Sequence, residues 1–429
     1  MVVAHTRRRL LATAALGAGA LLARRLRAAE PPRRGAGRVV VIGGGWAGLA
    51  AARHLRGLAP DIEVTLVERN PGFESLPLST QWLAGTLPAD ALRRDYAAAE
   101  RAWGYLRVRA TVDAIDRDKR EVRTGAGALP YDWLVLAAGI RHDWSAWFGD
   151  DAASATLAER EFPCGYRPGE LGALKRKLDA WRGGTLLMTL PPQPSRCPPA
   201  PYERAAMIAA RMQREKLKGR LILLDPGPGI LGFRQLFEDR YADEVRHVAH
   251  VTIKSVDPHA RRVRTEFEEF AFDDAILMPP QQAADLVWQA GLIGTAADGR
   301  PTGWAAQDPL HLNALADERI FLVGDLIGPV SPLFGHYSKN AHLAVRLGHI
   351  AAAEIAARAA GREPGIALPD SVCYVASDFD PPESLRIDTE YRLRGDGVIM
   401  QASRQHRDPQ PRGEDATWAR ETLTELFGS

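Results

Sequence analysis

An α/β fold of doubly wound parallel sheets is what this sequence predicts, on three observations. Short runs of β-branched and aliphatic residues recur along the chain, too continuous for half-exposed strands and too short for helices. Several end in glycine or in an acid, as parallel strands do where a ligand lies beyond their carboxyl ends. The stretches between them carry helical spacing. The 429 residues are 46% hydrophobic and 25% charged, as folded chains are. At roughly 100–200 residues per domain, two or three domains are expected.

Charge is unevenly spread. Residues 1–36 hold eight arginines against one acid, and the remainder holds 47 basic and 52 acidic side chains, a net −5. The +2 of the whole chain therefore belongs to its first segment and gives no ground for nucleic-acid binding. Three cysteines are too few for a disulfide scaffold. With no Cys-x-x-Cys-His or paired Cys-x-x-Cys spacing, neither covalent haem nor a metal site is expected on this chain. Thr6-Arg7-Arg8-Arg9-Leu10-Leu11 opens an alanine-rich apolar run from Leu10 to Ala23, followed by Arg24, Arg25, Arg27 and Pro31-Pro32. This is the order of a secretory leader. Adjacent arginines before two leucines point to the twin-arginine route, which exports proteins already folded around cofactors. The apolar run is shorter than the ~20 residues that span a bilayer. A periplasmic protein is expected, with membrane contact only through an uncleaved leader.

The first strand of the folded chain is Arg38-Val39-Val40-Val41-Ile42, and Gly43-Gly44-Gly45-Trp46-Ala47-Gly48 follows it. In this G-x-G-x-x-G pattern Gly43 permits the tight turn, Gly45 lets the backbone approach a pyrophosphate and Gly48 lets the next helix pack close. That helix, Ala47 to about Leu58, points its positive end at the phosphates. A second strand, Glu63-Val64-Thr65-Leu66-Val67, ends in Glu68-Arg69, and Glu68 is placed to bond the adenosine ribose and to repel a 2′-phosphate. Strand, glycines, helix, strand and terminal acid in this order mark a dinucleotide site.

Two further segments decide which dinucleotide. Tyr131-Asp132-Trp133-Leu134-Val135-Leu136-Ala137-Ala138-Gly139 resembles the strand that returns to the FAD site in flavoproteins with two dinucleotide-binding domains. Glu318-Arg319-Ile320-Phe321-Leu322-Val323-Gly324-Asp325 resembles their late motif, in which the aspartate binds the ribityl chain. FAD is the expected cofactor. After Asp325 the spacing predicts a helix over Tyr337–Ala357, whose N-terminus, in the fold these segments resemble, faces the flavin with its dipole. His336 and Tyr337 stand at its entrance; packing is the commoner role for such residues, and Tyr337 is carried as a cofactor-binding candidate. The architecture that follows is two Rossmann-like domains plus a C-terminal α+β segment. Residues 37–150 and 285–360 form a discontinuous FAD domain, 151–284 a second domain and 361–429 the C-terminal segment, with a last helix over Ala416–Phe427.

The second domain lacks what a nicotinamide nucleotide needs. Thr185-Leu186-Leu187-Met188-Thr189-Leu190 runs into Pro191-Pro192-Gln193-Pro194 with no glycine fingerprint, and prolines offer no N–H to a phosphate. Leu221-Ile222-Leu223-Leu224-Asp225 reads as the next strand, so the domain shape survives while NAD(P)H is not expected as donor. Ser195-Arg196-Cys197-Pro198-Pro199-Ala200-Pro201-Tyr202-Glu203-Arg204 is the most unusual stretch. Cys197 lies between an arginine able to tune a thiol and a helix start carrying Glu203, a candidate acid or base; a turn cysteine without chemistry is the plainer alternative.

Taken together, these segments resemble the flavoprotein subunit of flavocytochrome c sulfide dehydrogenase, within the sulfide:quinone oxidoreductase-like group. The resemblance runs from Arg38 to Gly428. It rests on Gly43-Gly44-Gly45, Arg196-Cys197-Pro198-Pro199, Pro201-Tyr202-Glu203-Arg204, Met278-Pro279-Pro280-Gln281, Gly324-Asp325 and Tyr337-Ser338. It implies an FAD-dependent oxidoreductase that takes electrons from sulfide or another reduced sulfur compound and passes them to a c-type cytochrome subunit. It also implies Cys197 as half of a redox disulfide and Glu203 as an acid–base group. The family's second redox cysteine is expected two residues after the Gly-Asp, where this chain has Ile327, which puts the disulfide chemistry in question. Leu76 stands where the family links its flavin through cysteine, so FAD is expected without a covalent bond. Cys164 is a candidate partner for Cys197, provided their Cα atoms approach within about 7 Å; Cys373 is expected in the core. A quinone-reducing relative and a flavin-binding subunit without sulfur chemistry are the alternatives.

Overall fold

The run from Val39 to Ile42 is buried and central in its sheet, with a parallel strand paired along each edge. The computed structural model describes residues 37–167 and 169–428, and the leader expected over 1–36 lies outside them. Strands Asp317–Leu322, Trp133–Leu136, Arg38–Ile42, Glu63–Val67 and Leu106–Val108 form a parallel sheet in that spatial order, with the short Asn313–Ala314 pairing antiparallel at one edge. Helices Trp46–Leu58 and Ala341–Ala359 cross against this sheet, close enough that a Cβ on Gly348 would lie 2.3 Å from the Ala47 carbonyl oxygen.

The second domain repeats the plan with four parallel strands in the order Val245–Val248, Lys218–Leu224, Gly183–Thr189 and Asp274–Ile276. In each domain a three-stranded antiparallel meander precedes the returning strand: 112–130 before Trp133–Leu136, and 253–271 before Asp274–Ile276. The two domains are joined where Ile140–His142 pairs antiparallel with Gln281–Ala283. Ser371–Phe379, Pro382–Leu393 and Ile399–Asp408 make an antiparallel sheet, and helix Glu414–Phe427 follows. Val375 and Leu385 of that sheet pack into the second domain's core, whereas Tyr391, Ile399, Leu423, Leu426 and Phe427 pack into the first. The C-terminal segment therefore straddles both domains.

The helix predicted from Tyr337 begins instead at Ala341. Asn340 ends the extended approach by accepting the Leu343 N–H at 2.9 Å on its side-chain oxygen, an N-cap that fixes the first turn. No helix of the described residues is long and apolar enough to cross a membrane.

Candidate functional site

A cavity of about 870 Å³ opens beyond the carboxyl ends of the first sheet, within the ~300–1,000 Å³ common to small-molecule sites. Gly43, Gly45, Trp46, Ala47, Glu68, Arg69, Ala138, Gly139, Gly324, Asp325, Cys197 and Glu203 all line it. Gly43 is left-handed (φ 100°), and a Cβ there would meet the Ala137 carbonyl oxygen at 2.5 Å. Gly48 stands behind the wall, where a Cβ would sit 1.8 Å from the Gly43 oxygen. Nothing lies within 4 Å of a Cβ built on Gly45, the N-cap of a helix with no side-chain cap. That helix end keeps its N–H groups for an outside acceptor. Glu68 is buried and ordered: its Oε2 accepts from Gly44 N at 2.7 Å, and its Oε1 accepts from Asn70 N and Nδ2, each at 2.7 Å. Gly44, not singled out from sequence, has no room for a side chain because Tyr96 lies 2.8 Å from its would-be Cβ and donates its hydroxyl to the Gly44 carbonyl. The open helix end, the vacant space at Gly45 and the fixed acid fit FAD.

Farther along the wall, Asp325 is held by Arg196, whose Nε donates to Oδ2 at 2.6 Å. Arg196 Nη1 donates to the Tyr166 carbonyl at 3.0 Å, and its backbone N donates to Gln281 Oε1 at 2.7 Å. Arg196 thereby locks the strand-to-helix corner of the second domain onto the first. Helix Glu414–Phe427 closes another side: Trp418 stacks on Trp46 at 5.8 Å, and Asp415 accepts from Gln81 Nε2 at 2.9 Å.

Cys197 takes left-handed backbone (φ 46°), uncommon for a side-chain-bearing residue, and its N–H donates to the Lys339 carbonyl at 2.6 Å. Cys373 lies near enough to perturb its thiol, and the two free cysteines line the same cavity. Cys373 and burial push the Cys197 thiol well up. Glu203 sits in the first turn of helix Ala200–Glu215, its carboxylate accepting from Thr80 Oγ1 at 3.0 Å and from Ala376 N at 2.9 Å. Burial pushes it up to about 7. Because strand Ser371–Phe379 packs on that helix, its two contributions, the Cys373 thiol and the Ala376 N–H, arrive together.

Further residues singled out from the sequence can be placed. Ile327, the position at which the resemblance placed the second cysteine, is a core residue 1% exposed and does not line the cavity; its carbonyl and that of Asp325 accept from buried Lys339 Nζ at 2.9 and 2.8 Å. Cys373, expected in the core, packs against the second domain's core but is only partly buried and lines the cavity with Cys197. Cys164, the candidate partner of Cys197, is buried off the cavity wall, its Sγ donating to Glu170 Oε2 at 3.5 Å and lying 3.8 Å from His142 Nε2. Tyr337 also lies off the wall, its ring packed 4.5 Å from Tyr391, because the helix it was expected to open starts four residues later. Leu76 lines the cavity.

In the second domain, Asp225 holds the place after its strand that Glu68 holds in the first. It is 2% exposed and engaged on every side: Tyr202 donates its hydroxyl at 2.5 Å, His247 Nε2 lies at 2.8 Å and Gly227 N donates at 2.8 Å.

Residues 172–279 match the family model for the central part of the sulfide dehydrogenase [flavocytochrome c] flavoprotein chain, and residues 37–153 match that for pyridine nucleotide-disulphide oxidoreductases. The sulfide-quinone reductase of Aquifex aeolicus is 26% identical over 268 residues, which cover 59% of this chain and 60% of that protein's length. The sulfide dehydrogenase [flavocytochrome c] flavoprotein chain of Chlorobaculum thiosulfatiphilum is 51% identical over 45 residues, 10% of this chain and 94% of that sequence. The solved sulfide:quinone oxidoreductase of Aquifex aeolicus superposes with a TM-score of 0.70 over 92% of both chains at 19% identity. Putidaredoxin reductase in complex with putidaredoxin gives 0.63 over 92% of this chain and 96% of its own at 18% identity, a likeness of fold alone. With its glycine-lined cavity, its fixed acid and these matches, the chain belongs to the two-dinucleotide-domain flavoproteins of the sulfide:quinone oxidoreductase and flavocytochrome c sulfide dehydrogenase group.

Proposed function

We propose that this chain is an exported, FAD-dependent oxidoreductase that oxidises sulfide at the Cys197–Cys373 pair and delivers the electrons to a c-type cytochrome subunit. The observation that carries the reading is the presence of two free cysteines, Cys197 and Cys373, on the wall of one cavity fitted to FAD. FAD, when bound, supplies a two-electron acceptor, held by the Gly43–Gly45 turn, Glu68 and Gly324-Asp325. With Leu76 in place of a linking cysteine, it is held without a covalent bond.

In the oxidised resting form the pair is a disulfide. Hydrosulfide attacks one sulfur; the S–S bond breaks as a new one forms, leaving a persulfide on one cysteine and a thiolate on the other. Glu203, poised to about 7 beside the pair, exchanges the accompanying proton. NAD(P)H takes no part in this scheme. The corner that would cradle its phosphates carries Pro191-Pro192 and the Cys197 bracket, and Tyr202 and His247 occupy the acid that would meet its ribose.

The cytochrome acceptor is supported by the flavocytochrome c flavoprotein match and by helix Glu414–Phe427, which is folded back onto the first domain through Trp103 Nε1 and the Leu426 carbonyl at 2.9 Å. The C-terminal segment 361–429 would supply the partner-facing layer. Export to the periplasm rests on Thr6–Leu11 and the apolar run behind it. A quinone acceptor is the second reading, favoured by the match to sulfide-quinone reductase. Anaerobic addition of sulfide should bleach the flavin, and cytochrome c rather than menaquinone should restore its colour. A flavin left oxidised by sulfide would overturn the reading, and recovery with menaquinone alone would replace the acceptor.

A further inference from the structure

Six residues that line the cavity carry a buried side-chain polar atom with no partner among the described residues, and two of them, Tyr166 and Arg204, are themselves almost wholly buried. The Tyr166 hydroxyl belongs to a side chain 3% exposed, and the Arg204 Nε to one 2% exposed. Both residues line the cavity that Cys197 lines. They belong to one assembly, with the Arg204 guanidinium 5.7 Å from the Tyr166 ring centroid. The only hydrogen bond Arg204 makes from its side chain is Nη1 to the Cys164 carbonyl, and no carboxylate lies within salt-bridge distance of it among the described residues. Its neighbour Glu203 turns to Thr80 and Ala376 instead.

A buried guanidinium without an anion is costly, as is a buried hydroxyl without an acceptor. The two costs fall side by side, on the wall that carries the thiols. The backbone that presents Tyr166 is also pinned. Glu170 Oε2 accepts from Gly165 N at 3.0 Å and Tyr166 N at 3.2 Å, and Arg196 Nη1 donates to the Tyr166 carbonyl at 3.0 Å. A hydroxyl held this firmly without a partner is a donor waiting for a ligand.

We infer that Tyr166 and Arg204 form a subsite for a small monoanion beside Cys197, and that the anion it takes in turnover is hydrosulfide. The hydroxyl and the guanidinium both donate to it, and Glu170 acts as a positioning residue for Tyr166. The identity of the anion rests on the sulfide-oxidising reading above; the existence of the subsite does not.

The test uses the FAD-loaded protein and two probes. Sodium bromide, titrated under air, should perturb the flavin absorbance of the natural protein, and Tyr166→Phe, which keeps the ring, should lose that response. In anaerobic stopped flow, Tyr166→Phe should raise the apparent dissociation constant for sulfide about tenfold, the factor one hydrogen bond to a charged group carries, with little change in limiting rate or FAD content. Arg204→Gln should act in the same direction. A bromide response retained in Tyr166→Phe would overturn the subsite. So would loss or spectral shift of the flavin in that variant at unaltered sulfide affinity, which would assign the two donors to the cofactor. A natural protein that responds to bromide through Tyr166 but is not bleached by sulfide would keep the subsite and sink the sulfide reading.

Discussion

Cys373, on the first strand of the C-terminal sheet, shares a cavity wall with Cys197, at the strand-to-helix corner of the second domain. Cys164 is buried off that wall, its thiol turned to Glu170. Denatured without reductant, air-oxidised protein should therefore titrate with one thiol, and after reduction with all three. Replacing either Cys197 or Cys373 with serine should abolish rapid bleaching by sulfide, whereas Cys164→Ser should retain it. Two free thiols remaining in the oxidised Cys164→Ser protein would contradict the pairing.

Glu203 should impose a pH dependence with a definite sign. Its folded value, about 7, lies above the ordinary 4.5 of a glutamate. Between those values the folded chain holds a proton that the unfolded chain has released. Stability is therefore full below the window and falls as pH rises through it, by on the order of 3 kcal/mol. Denaturant midpoints at the two ends of the window should differ in the natural protein and converge in Glu203→Gln. The same substitution should erase an inflection near 7 from the bleaching rate.

Gly45 and Gly48 are three residues apart and should fail differently. Alanine at Gly48 drives a methyl to within 1.8 Å of the Gly43 carbonyl, so helix and strand must part at a cost of about 3 kcal/mol. Alanine at Gly45 meets no protein atom within 4 Å and should leave the apoprotein's melting temperature nearly unchanged. Its methyl instead enters the space meant for a pyrophosphate, so FAD affinity should drop at least tenfold, measured by flavin fluorescence on titration.

Acid precipitation should release all the yellow colour to the supernatant, because Leu76 offers the flavin no bond-forming atom. Leu76→Cys places a thiol on the cavity wall, and part of the flavin should then stay with the pellet.

Much of this was legible from sequence because it is local. The glycine turn, Glu68, the strands ending at Ala138-Gly139 and Gly324-Asp325, and the odd prolines around Cys197 each carry their reason within a few residues. The thiol pair was not legible. Cys373 shares a wall with Cys197 only because a strand far along the chain packs on helix Ala200–Glu215, and no local pattern around Asp370-Ser371-Val372-Cys373 encodes that docking. Arg204 and Tyr166 were missed for a similar reason. Their lack of partners appears only once every neighbour is in place, though an arginine on an otherwise apolar helix face of Ala205, Ala206, Ile208 and Ala209 was a signal. Tyr337 was misplaced because periodicity extends a helix through a cap that Asn340 enforces.

The corner between Thr189 and Ala200 has a consequence for how this chain can change. In the first domain the equivalent corner is three glycines that leave room for a nucleotide; in the second it is a proline-stiffened bracket that thrusts a sulfur toward the neighbouring domain. One corner cannot serve both tenants. Any lineage that regained a pyridine nucleotide here would have to surrender its sulfur hook in the same step.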